Sequence, residues 1–99
     1  MINNYRISNA AIHDLNSIWI YTIDKWSKKQ ADKYYRELVA EIKNVAKNFF
    51  DGKPVTQIRV GYRSSKVNSH VIFYKLGVDN IVDVVRILHE SMDWEMHLD

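Results

Sequence analysis

The hydrophobic period of this 99-residue chain changes at its only proline, Pro54. Before it, apolar residues recur every three or four positions, the spacing that lays one stripe along a helix. After it they alternate or run continuously, as strands do. A helical half followed by a sheet half predicts an α+β fold, because the helices must bury their stripe against one face of the sheet.

Ala11, Leu15, Ile18, Trp19, Thr22 and Trp26 mark a first helix of about four to five turns, with Ser8 placed to accept a backbone N–H at its start. Ser27-Lys28-Lys29-Gln30 reads as a capping box that opens a second helix. That helix carries Ala31, Tyr35, Leu38, Ile42, Val45, Ala46 and Phe49 at helical spacing and ends at Asp51-Gly52 before Pro54. So short a connection predicts an antiparallel helical hairpin.

Upstream, Ile2 to Ile7 alternates as a short strand. Downstream, Ile58, Val60 and Tyr62 alternate with Gln57, Arg59 and Gly61, which predicts a strand there. Val71 to Leu76 and Ile81 to Leu88 are apolar on both faces and so belong in the sheet interior, joined by a hairpin turn at Gly77-Val78-Asp79-Asn80. The tail from Glu90 to Leu98 is expected to form a short helix anchored by Met92, Trp94 and Met96. The predicted order is β-α-α-β-β-β, a small antiparallel sheet with a helical hairpin on one face, in one domain spanning residues 1–99.

The longest uncharged apolar run, Leu15 to Ile23, is broken by Asn16, Ser17 and Thr22 and falls far short of the ~20 residues of a membrane span. The start Met1-Ile2-Asn3-Asn4-Tyr5-Arg6 lacks a basic leader followed by an apolar block, so the expectation is a cytoplasmic chain that meets no membrane. The absence of cysteine removes disulfides and thiolate metal sites.

A net charge of +2 hides a polarised layout. Residues 1–52 hold eight basic and six acidic side chains. Residues 53–76 hold Lys53, Arg59, Arg63, Lys66 and Lys75 with no acid, whereas residues 77–99 hold Arg86 against Asp79, Asp83, Glu90, Asp93, Glu95 and Asp99. Such blocks either serve an anionic partner or neutralise each other across neighbouring strands. Arg86, set among Val84, Val85, Ile87 and Leu88, poses the same alternative at one residue, since a guanidinium in an apolar strand needs an internal partner or an anionic visitor.

Three chemistries fit parts of this pattern. Metal-free RNA cleavage needs a base, an acid and cations; His89 or Glu90 supplies a base and the arginines supply cations, but no second proton-transfer group stands near them in sequence. A zinc site would use His89, Asp93 and His97 if the tail were one helix, but it lacks H-E-x-x-H spacing and no cofactor or metal is expected. Protein binding is favoured by Trp19, Trp26, Tyr34 and Tyr35 in the hairpin, because Tyr34 and Tyr35 point about 100° apart around the helix and one of them must border solvent or a partner.

The series Tyr5-Arg6-Ile7-Ser8, Asp14-Leu15, Ile18-Trp19, Gln30-Ala31, Tyr34-Tyr35, Gly61-Tyr62-Arg63-Ser64, Ser69-His70-Val71-Ile72-Phe73-Tyr74 and Arg86-Ile87-Leu88-His89 resembles the ParE toxins of the RelE/ParE superfamily over nearly the whole chain. The resemblance implies a toxin of a type II toxin–antitoxin system, wrapped by a cognate antitoxin and directed at DNA gyrase, with no sequence-specific DNA binding of its own. The alternatives it leaves are a RelE-like, ribosome-dependent mRNA endonuclease with an active site built on Arg63, Arg86 and His89, though no tyrosine follows Tyr74 to fill the late tyrosine position, and an inactive homologue that retains antitoxin binding. Together with the residue chemistry it makes Trp19, Tyr35, Leu38, Arg63, Lys66 and Arg86 the expected antitoxin contacts, and Arg59, Arg63, Arg86 and His89 the expected target contacts.

Overall fold

The computed structural model describes residues 4–98. Strand β1 (Tyr5–Ile7) leads into helix α1 (Asn9–Lys25), and a two-residue joint at Trp26 and Ser27 turns the chain into helix α2 (Lys28–Lys47). Both predicted caps are present, with Ser8 Oγ accepting from Ala11 N–H and Ser27 Oγ from Gln30 N–H. A 3₁₀ turn (Phe49–Asp51) and a two-residue strand β2 (Lys53–Pro54) precede β3 (Arg63–Val67), β4 (His70–Leu76), β5 (Val82–His89) and a short helix α3 (Trp94–His97).

The strands form one sheet in the order β1-β5-β4-β3-β2. Pairings from β2 through β5 are antiparallel, but β1 runs parallel to β5, with Tyr5 opposite Val82 and Ile7 opposite Val84, so the sheet is mixed rather than antiparallel throughout. The reason is that the helical hairpin carries the chain back across the sheet before β2 begins, the kind of long connection that parallel neighbours require. As the apolar runs implied, β4 and β5 are the interior strands.

Each face of the sheet is covered. On one, Ala11 and Leu15 of α1 and Leu38, Ile42 and Val45 of α2 pack on Ile72, Tyr74, Val82, Val84 and Ile87. On the other, Val71, Phe73 and Leu88 are covered by Val55, Tyr62 and Leu98. The tail therefore does form a helix, but its anchors are Trp94 and Leu98, while Met92 and Met96 are exposed. Trp94 sets its ring edgewise on Phe73, centroids 5.1 Å apart.

The strand expected at Ile58 to Tyr62 is instead a tight loop. Val55 and Tyr62 close it with a 2.9 Å backbone hydrogen bond, Val55 O accepts from Ile58 and Arg59, and Gly61 takes a positive φ of 85°. The alternation misled because Val60 sits at the loop tip, 88% exposed, and not on a pleat. The strand begins one residue later, at Arg63, where Ser64 and Ser65 hide the period. Ser65 is satisfied by Glu41 of α2. No described helix is long and apolar enough to cross a membrane.

Candidate functional site

The outer face of the hairpin is built by two residues one step off the buried stripe. Trp19 follows Ile18 around α1, so its ring lies at the α1–α2 seam and its indole N–H donates to Asp32 Oδ1 at 2.9 Å. Lys28 holds the other Asp32 oxygen at 2.9 Å, and the Lys28 and Trp19 bonds together keep that carboxyl below its ordinary pKa. Beside them Tyr35 is partly exposed and Tyr34 turns inward, the division that consecutive aromatics on a helix require. Tyr35 and Arg36 link two shallow grooves, one of about 380 Å³ with Trp19 and Asp32, the other of about 330 Å³ with Val39 and Lys43. Leu38, in contrast, is fully buried against the sheet and presents nothing to a partner, because it occupies the inward stripe three residues beyond Tyr35.

Arg63 opens β3 at the far end of the hairpin. Its Nη1 donates to Gly52 O at 2.7 Å, and its guanidinium carbon lies 4.9 Å from the Phe50 ring centroid and 5.5 Å from that of Phe49. The 3₁₀ turn is itself pinned by the buried Tyr74 hydroxyl, which donates to Phe49 O at 2.7 Å. Lys66, further along β3, pairs with Glu90 at 2.7 Å. Arg59 lies in the loop before β3 and donates to Ile58 O at 2.9 Å.

Arg86 finds an internal partner. Its Nε and Nη2 donate to the two oxygens of Asp14 at 2.8 and 2.9 Å, and Nη1 reaches His97 O at 3.3 Å. The arrangement follows from two sequence accidents. Strand β1 ends at Ile7 and Ser8 reaches as far as Val85 O, leaving the β5 edge beyond it without a strand partner among the described residues, and α1 brings Asp14 to that edge, where the carboxylate also accepts Ile87 N–H at 2.9 Å. A register shift opposite Phe73 and Tyr74 then lets Arg86 lie between α1 and the tail. Arg6 likewise binds Asp79 and Asp83, so that Asp79, Asp83 and, through Lys66, Glu90 of the acidic block are answered within the molecule.

His89 ends β5, exposed, with Nδ1 against Ser91 Oγ at 2.7 Å. Directly opposite it on β4 is His70, ring centroids 5.4 Å apart and nearly perpendicular. Burial, and then the nearness of His89, holds the His70 imidazole below its ordinary pKa. Its Nδ1 meets the Tyr34 hydroxyl at 2.7 Å. Sequence spacing did not connect Tyr34 with His70, since 36 positions separate them.

These residues do not converge on one point. The guanidinium of Arg63 sits on Phe49 and Phe50, that of Arg86 on Asp14, and β4 runs between their strands. His89, Asp93 and His97 do not share a helix either, because α3 begins only at Trp94.

The family described as "ParE toxin of type II toxin-antitoxin system, parDE" matches residues 5–94. The chain belongs to the ParE toxin family. Among ParE relatives, "Toxin ParE1" of Caulobacter vibrioides is 43% identical over 94 residues, covering 95% of this chain and 96% of that one. "Toxin ParE1" of Mycobacterium tuberculosis is 40% identical over 98 residues, covering 99% and 100%. The ParE fold is also that of a solved structure described as "Chromosomal ParDE TA system from P. aeruginosa", with a TM-score of 0.77 at 15% identity over 87% of this chain and 94% of that one.

Proposed function

We propose that this ParE chain is a cytoplasmic toxin, acting as one domain over residues 1–99, that poisons DNA gyrase by binding it and is silenced by a cognate antitoxin. The observation that carries the reading is the near-complete match to proteins named Toxin ParE1. An antitoxin helix lies along the outer hairpin groove, with its apolar side on Trp19 and Tyr35. Its acidic residues reach Arg63 and Lys66, whose present partners are a backbone carbonyl, two aromatic rings and an exposed carboxylate that an incoming acid can displace.

Target binding in this reading draws on Arg59 and Arg63, in the loop before β3 and at the start of that strand, and separately on His89 at the end of β5. Arg86 contributes indirectly, by holding the tail and α1 to β5. The endonuclease alternative draws no support from a geometry in which Arg63, Arg86 and His89 stay apart. The test is a pair of assays on the purified chain, gyrase supercoiling and ribosome-dependent mRNA cleavage, each run with and without antitoxin. Inhibited supercoiling with intact mRNA, reversed by antitoxin, is expected; cut mRNA with normal supercoiling would overturn the reading.

A further inference from the structure

Of the Tyr34–His70–His89 group only His89 enters the surfaces described above, and the cluster the three make together serves neither. It opens on a cleft of about 530 Å³ between the hairpin joint and the β3–β4 turn, rimmed by Tyr21, Trp26 and Gln30. Trp26 is 77% exposed and Tyr21 60%, so neither ring is spent on the core. An exposed tryptophan beside a polar cleft of ligand size is the combination that binding sites use.

The hydrogen-bond network fixes what the two imidazoles offer. Tyr34 donates its hydroxyl proton to Val67 O at 2.9 Å, so its oxygen takes the Nδ1–H of His70 and leaves His70 Nε2 as an acceptor. The Ser91 backbone N–H donates to His89 Nδ1 at 3.1 Å, so the neutral His89 ring carries its proton on Nε2 and is a donor. The cleft thus presents one ring-nitrogen acceptor, one ring N–H donor and the Gln30 amide beside two exposed aromatic faces.

Among the described residues, those lining the cleft carry no formal charge when the histidines are neutral, and Lys66 nearby is held by Glu90. A phosphate group therefore has no cation to meet inside. Two imidazoles alone are too few ligands for a tetrahedral metal site. What matches is a flat, neutral molecule with donors and acceptors along one edge.

We propose that this cleft binds an unstacked nucleobase, stacked on Trp26 and read along its edge by His70, His89 and Gln30. Aromatic stacking combined with edge hydrogen bonds is how proteins hold bases that have left a helix. The base belongs either to a free nucleotide or to a single strand, and its phosphate stays in solvent.

The experiment titrates the full chain with each of the four ribonucleoside monophosphates and, separately, with short single-stranded RNA and DNA of the same bases. Tryptophan fluorescence and the histidine ring signals in NMR report binding. Expected are saturable quenching with shifts at His70 and His89, and affinity lowered about tenfold or more in Trp26→Ala and reduced in His89→Ala. Equal binding of mononucleotides and strands identifies a free nucleotide; binding of strands alone identifies a base held in a chain. Because Trp26 is exposed, Trp26→Ala is expected to melt like the parent, which separates lost binding from lost folding. The proposal is overturned by no saturation at millimolar concentrations, by inorganic phosphate competing as well as the nucleotides do, or by affinity unchanged in both variants.

Discussion

Asp14 grips Arg86 with both carboxylate oxygens and uses one of them to accept the Ile87 N–H as well, so a single α1 side chain neutralises a guanidinium and finishes the edge of β5 where β1 stops. Removing one partner of a part-buried pair strands the other's charge and here also orphans a strand amide. Asp14→Ala is expected to lower unfolding free energy by about 3 to 5 kcal/mol, read as the urea midpoint, and Asp14→Asn by less because it keeps an acceptor. Equal stability of Asp14→Ala and the parent would contradict this role.

The 3₁₀ turn makes a second prediction. A Cβ added at Gly52 would run into the Tyr74 hydroxyl and meet its ring at 2.8 Å and Ser64 O at 2.9 Å. Gly52→Ala is therefore expected to destabilise by about 1 to 3 kcal/mol. Tyr74→Phe alone loses the bond to Phe49 O, about 1 kcal/mol. In the double variant the closest clash is gone while the ring carbon at 2.8 Å and the Ser64 carbonyl at 2.9 Å remain, so thermal melts should show partial relief relative to the sum of the two single changes.

Acid sensitivity follows from His70. Its folded-state pKa lies below the ordinary 6.5, because burial disfavours the charged ring and His89 repels it, against weaker opposing pulls from Asp14 and Glu90. Between the two values the unfolded chain binds more protons, so the contribution is complete above 6.5 and is lost as pH falls through the window beneath it. Unfolding midpoints should drop from about pH 7 to about pH 5, with a shallower drop in His70→Gln. Asp32 and Glu90, held low by Lys28 and Lys66, lose their contributions in a separate window beneath 4.5. Identical slopes in parent and variant between neutrality and pH ~5 would rule His70 out.

On the proposed antitoxin surface, Tyr35→Ala is expected to weaken antitoxin binding by about thirtyfold, the effect of losing an aromatic anchor worth about 2 kcal/mol. Arg63→Glu should also weaken it, by reversing charge opposite acidic antitoxin residues. Val78→Ser, at the exposed β4–β5 turn, should leave the dissociation constant unchanged. Surface plasmon resonance measures all three, and a Tyr35→Ala constant equal to the parent's would remove the hairpin face from the interface.

The helices were legible in the sequence because their stripes and caps are local: Ser8 and Ser27 act as their positions imply. The interior strands were legible because β4 and β5 are apolar on both faces. What the sequence hid is non-local. The parallel pairing of β1 depends on where the hairpin returns the chain, and the loop at 55–62 on a positive φ at Gly61 that an alternating apolar pattern conceals.

The site was legible in the same uneven way. An arginine in an apolar strand asked for a partner, and Asp14, three residues after Ala11 on a buried stripe, was the carboxylate able to answer. Leu38 was assigned outward although it continues the inward stripe of Ile42 and Val45. The meeting of Tyr34, His70 and His89 needed the β4–β5 register and the packing of α2, neither of which a single spacing encodes.

Gyrase poisoning is read from a supercoiling and cleavage assay with purified gyrase and relaxed plasmid, titrating the full chain with and without its antitoxin. A gyrase poison gives concentration-dependent loss of supercoiling or trapped double-strand breaks, both abolished by stoichiometric antitoxin. Undiminished supercoiling with no trapped breaks at a large excess of folded chain would contradict it.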